Sequence, residues 1–114
     1  MSELIKKNCT PCIVGASSLK GEDLKALYMQ LGEGWKIIDE HHLEKHYSFK
    51  NFKEALTFTN IVGHIAEEEG HHPNIFLTWG KVTLQIWTHK VDGLTESDFI
   101  LAAKIEAEYI SHQG

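Results

Sequence analysis

The sequence predicts an α+β fold: a two-layer sandwich in which a four-stranded antiparallel sheet carries three helices on one face, in the order α-β-β-α-β-β-α. Three observations lead there. Apolar residues recur at three- and four-residue steps in three segments, which is the helical period. Between those segments lie short runs of alternating polarity, two at a time, joined by glycine or polar turns. Strands that come in pairs between helices close as antiparallel hairpins with one face covered.

Residues 1 to about 18 read as an N-terminal tail without period, ending in Gly15-Ala16-Ser17-Ser18, and 19–114 as a single domain. Leu24, Leu27, Tyr28 and Leu31 mark a short amphipathic helix from Gly21, stopped by Gly32 and Gly34. Trp35 to Asp39 reads as a strand. Leu43 to Phe49 reads as its hairpin partner, with Leu43, Lys45 and Tyr47 alternating against Glu44, His46 and Ser48. The longest helix spans Lys50 to Glu69, its apolar face built from Phe52, Ala55, Leu56, Phe58, Val62, Ile65 and Ala66. Gly70 stops it and Pro73 keeps it from resuming. Asn74 to Trp79 and Val82 to His89 form a second hairpin around Gly80-Lys81. Thr95 caps a final helix to about Ser111, with Phe99, Ala102, Ala103, Ile105 and Ile110 inward.

Composition narrows the function. With 114 residues, 42% hydrophobic and 24% charged, the chain has the balance of a soluble globular domain. No apolar run approaches the ~20 residues of a membrane span, and the N-terminus lacks the apolar core of a secretory signal, so the expected location is cytoplasmic. Net charge is -5 and every one of the 11 basic residues is lysine. Without arginine's planar fork, nucleic acid is not an expected partner. Cys9 and Cys12 form a CxxC pair with no second pair to complete a zinc site, and it reads as inessential.

The chemistry concentrates between Glu67 and Asp98. Glu67-Glu68-Glu69 end the long helix, where the dipole disfavours carboxylates. His71-His72-Pro73 follow, then Trp79, His89 and Asp98. Imidazoles give and take protons near neutral pH, and a nearby carboxylate fixes the tautomer of each ring. Glu67, four residues before His71, would pair with it if the helix continued for another turn. Asp98, at the third position after Thr95, has a competing role as a helix cap. His41, His42, His46, His64 and His112 read as surface or satisfied histidines. No His-x-His or helical His-x3-His pair occurs among His71, His72 and His89, so no metal is expected.

Glu67, His71-His72-Pro73, Trp79, His89 and Asp98 stand at the spacing of a known signature, and the chain resembles the pterin-4a-carbinolamine dehydratase family. The likeness extends to Gly34-Trp35, Phe49-Lys50-Asn51-Phe52 and Gly93-Leu94-Thr95. It implies a homodimer or homotetramer of the fold described above. It implies no cofactor, a small-molecule pterin as substrate, and dehydration of the 4a-carbinolamine in cofactor recycling. His71, His72 and His89 would be the catalytic residues lining the pocket. Glu67 and Asp98 would belong to the same site, with Trp79 beside it as an apolar wall against substrate. Two other readings use the same residues: a non-catalytic binding or assembly protein on this fold, and a metal-assisted hydrolase.

Overall fold

In the computed structural model, which describes Leu4, residues 18–31 and residues 34–113, the expected element order is present. The Cys9-Cys12 pair and most of the tail lie outside the described residues, although Leu4 is buried in the core. Helix α1 spans Gly21–Tyr28, strands β1 and β2 Lys36–Ile38 and His42–Ser48, and helix α2 Phe52–Glu69. Strands β3 and β4 span Asn74–Leu77 and Lys81–Ile86, and helix α3 Glu96–Gln113. The fold is α+β, with the sheet ordered β1-β2-β4-β3 and every neighbouring pair antiparallel.

The central β2–β4 register sets Leu43 opposite Ile86, Lys45 opposite Leu84 and Tyr47 opposite Val82. All six are buried, because alternation along each strand turns them to the helix side. Against them α2 lays Ala55, Phe58, Val62 and Ala66, a stripe at the helical period. Helix α3 is buried nearly all round at its start, from Phe99 through Ala103 and again at Ile105. The apolar faces expected from sequence were wider than the domain covers: Phe52, Leu56 and Ile110 are exposed.

Lys45 faces inward because it meets Glu106 of α3. Glu106 Oε1 accepts from Lys45 Nζ at 2.6 Å, Tyr47 OH at 2.6 Å and Trp35 Nε1 at 3.2 Å. Burial, and then the hydrogen bond to Glu106, pushes the Tyr47 phenol well above the usual tyrosine range. Gly34 (φ +94) lets the backbone pass over the lysine stem, since a Cβ there would lie 2.9 Å from Lys45 Cε. This network clamps α3 to β2 and so fixes where the start of α3 lies.

Candidate active site

Helix α2 ends at Gly70, whose backbone is left-handed (φ 65, ψ 28). The Gly70 N–H bonds to Glu67 O at 3.4 Å, and the His71 N–H reaches back to Ala66 O at 3.2 Å. These are the paired bonds of a Schellman stop, which a side chain at this φ would strain. The reversal corrects one expectation. Glu67 does not pair with His71, because the helix does not continue. Glu67 Oε2 instead lies 2.5 Å from His72 Nε2, and His71 Nε2 lies 2.5 Å from Asp98 Oδ1. The other two glutamates are also engaged, Glu68 with His64 at 2.8 Å and Glu69 with Lys104 of α3 at 2.7 Å. These partners offset carboxylates at the negative end of the helix dipole, and Lys104 ties that end to α3.

Asp98 is fully buried. Its Oδ2 accepts from the Thr95 N–H and the Thr88 hydroxyl, each at 2.8 Å, while Oδ1 faces His71. The Thr95 bond is the cap that the sequence suggested. The same carboxylate therefore both starts α3 and anchors an imidazole. An ionised carboxylate only accepts, so His71 Nε2 carries the hydrogen and Nδ1 is the nitrogen left for chemistry. The same logic leaves His72 Nδ1 free, with Nε2 given to Glu67. Exposure separates the two rings: the His71 side chain is 15% exposed and that of His72 is 60%. His71 is a shielded group on a rigid anchor, and His72 stands at the solvent edge.

The expected strand to His89 is shorter, because β4 stops at Ile86 and His89 begins a 3-10 turn, His89–Val91. Thr88 and Gly93 close that turn as an isolated bridge, with the Thr88 N–H on Gly93 O at 2.8 Å. Since Thr88 also holds Asp98, His71 and His89 flank a single carboxylate–threonine pair. His71, His72 and His89 thus all sit at the end of the sheet where β3 begins and β4 finishes. Trp79 does not join them. It is 68% exposed on the β3–β4 turn, and β3 carries it away from Asn74 at about 3.3 Å per residue. A separate open cleft of about 840 Å³, lined by Phe49, Lys53, Phe58 and Tyr109 among others, opens at the start of α2 and contains no imidazole.

Residues 17–108 match the family model described as Pterin 4 alpha carbinolamine dehydratase. The chain belongs to the pterin-4a-carbinolamine dehydratase family. Within it, a protein of Alkaliphilus metalliredigens provisionally named pterin-4-alpha-carbinolamine dehydratase is 51% identical over 108 residues, 95% of this chain and 97% of that one. One of the same provisional name from Rubrobacter xylanophilus is 54% identical over 106 residues, 93% of this chain and 98% of that one. The fold matches the crystal structure of a transcriptional coactivator/pterin dehydratase from Brucella melitensis with a TM-score of 0.74, at 28% identity. That match covers 80% of this chain and 97% of the other. A pterin dehydratase-like RuBisCO assembly factor of the α-carboxysome shares the fold at a TM-score of 0.57 and 22% identity, over 66% of this chain and 88% of that one.

For a chain of this dehydratase family, the sequence reading overlooked two groups near the histidines. Thr88 left no local signal beyond standing next to His89. Trp87 lies inside the stretch read as the strand Val82 to His89, and it packs against both His89 and the His41–His42 pair. Among the described residues no helix is long and apolar enough to cross a membrane.

Proposed function

We propose that this protein dehydrates a 4a-hydroxytetrahydropterin to the quinonoid dihydropterin and water, with His71 and His89 exchanging the two protons and His72 binding the pterin. The observation that carries this reading is the His71–Asp98 pair, a shielded imidazole whose free Nδ1 is set by a buried carboxylate. In the reaction the C4a–O bond breaks as the departing oxygen takes a proton. The N5 lone pair forms the C4a=N5 bond, and the N5 proton leaves. One acid and one base on a fixed substrate suffice, and the ring that gave a proton regains it at the end of the cycle. His71 serves as the acid, because the Asp98 carboxylate faces the ring whenever both of its nitrogens hold protons. His89 serves as the base.

We also infer self-association into a homodimer or homotetramer. Phe52 and Leu56 on α2, and Phe76 on the edge strand β3, are large apolar side chains left in solvent by the single chain. Light scattering at micromolar concentration tests this, and a monomer contradicts it. The catalytic test is the decay of the 4a-carbinolamine absorbance with purified protein. Acceleration proportional to enzyme supports the reading. An unchanged decay rejects it and leaves a binding role for the fold.

A further inference from the structure

We propose that Trp87 is the positioning residue for His89, holding the imidazole by face-to-face stacking, and that the β1–β2 turn braces Trp87 through His41. The inference rests on the reading of His89 as a reacting group. His71 and His72 are each held by a carboxylate, but His89 is not: among the described residues its imidazole makes no hydrogen bond. Its plane is set by Trp87, with ring centroids 4.5 Å apart and planes 11° from parallel. A functional imidazole must keep its direction within about 10–20° to be productive, and a side chain at the start of an exposed 3-10 turn does not do so unaided.

Trp87 is itself braced. His41 lies 5.2 Å and His42 5.8 Å from it, centroid to centroid, both tilted. His41 is pinned at both nitrogens: Nε2 is 2.8 Å from Asp92 Oδ1, and Nδ1 is 3.1 Å from His42 Nδ1. Asp92 ends the same 3-10 turn that His89 begins, its N–H on His89 O at 3.2 Å. The contacts therefore close a ring from His89 through Trp87, His41 and Asp92 back to the turn. Stacking has a chemical consequence that a carboxylate partner would not have. It fixes the ring plane while leaving both nitrogens free, so His89 can take the N5 proton on one nitrogen and release it to water from the other.

The test uses full-length Trp87→Leu and Trp87→Phe, with Asp92→Gly as a surface variant that suits the positive φ of 50 and loosens only the brace. In the wild type the His89 ring protons are shifted upfield by the indole ring current in NMR spectra. That shift is lost in Trp87→Leu, largely kept in Trp87→Phe, and reduced in Asp92→Gly. In the carbinolamine assay Trp87→Leu lowers kcat by more than about 10-fold, as misplacement of a reacting group does, with little change in KM. Trp87→Phe recovers most of that loss. Wild-type His89 signals without an upfield shift would overturn the proposal, and so would a Trp87→Leu enzyme with normal kcat. If Trp87→Leu does not fold, His89 signals that stay as in wild type, together with unchanged kcat, in Asp92→Gly overturn it. A wild type with no turnover would reject the dehydratase reading, while the NMR comparison would still decide whether Trp87 positions His89.

Discussion

Replacing Asp98 by asparagine separates the two duties of this buried carboxylate. Oδ2 serves two donors, the Thr95 N–H and the Thr88 hydroxyl, and Oδ1 serves one, the His71 ring. The amide of Asp98→Asn therefore keeps its oxygen on the two-donor side and turns its NH2 toward His71. The helix cap survives, so stability falls by about 1 kcal/mol or less, close to a single neutral hydrogen bond. The NH2 group, however, now requires an acceptor at His71 Nε2. The ring answers by moving its hydrogen to Nδ1, and the imidazolium loses its counter-charge. Either change disables His71 as an acid–base group, and kcat falls by about 10²- to 10⁴-fold. Asp98→Ala behaves differently. It loses the cap, at about 1 kcal/mol, and strands buried donors at about 1–3 kcal/mol, part of which Thr88 recovers by turning to Thr95. The sum, about 2–4 kcal/mol, lowers Tm by roughly 10 °C or more in a domain of this size. Carbinolamine decay and thermal unfolding, measured on both variants, give the comparison. An Asp98→Asn protein within threefold of wild-type kcat would refute the coupling of Asp98 to His71.

His71→Ala and His89→Ala each lower kcat in the same assay by about 10²- to 10⁴-fold, and the double variant loses less than the product if the two act as a unit; strict multiplication of the losses would argue for independent roles. Glu67→Gln leaves a hydrogen-bonding group beside the exposed His72 and raises KM by only a few-fold; a loss in kcat as large as that of His71→Ala would place Glu67 in proton transfer instead. The raised Tyr47 phenol gives a pH signature. Its folded ionisation lies above the unfolded value of about 10, so its contribution to stability is complete below that pH and drains away as the pH rises beyond it. Chemical denaturation between pH 9 and 11 should show that decline, and Tyr47→Phe should flatten it; equal slopes in the two proteins would contradict the shift.

Element type and order were legible because they depend on local period. The stripe Ala55, Phe58, Val62, Ala66 and the alternation Leu43, Lys45, Tyr47 state which residues share one face of each element, and in the structure that face, Lys45 included, is the buried one. Thr95 and Asp98 announced a cap at the right helix start, and Gly70 announced the stop, for the same local reason. Strand ends were less legible, since the 3-10 turn at His89 is closed by a bridge from Thr88 to Gly93 rather than by a periodic pattern. What only the tertiary structure decided is which side chain meets which. The left-handed residue at Gly70 redirects the chain, so Glu67 meets His72 and leaves His71 to a carboxylate 27 residues away on α3. Trp79 shares the sequence motif but not the place, because β3 carries it to the far end of the hairpin. Glu106 on α3 and Trp87 beside the β1–β2 turn acquire their partners only when α3 and the hairpin pack together. Spacing along a chain reports the face of an element; partners across the fold depend on backbone direction after each turn and on packing between layers, which no local period contains.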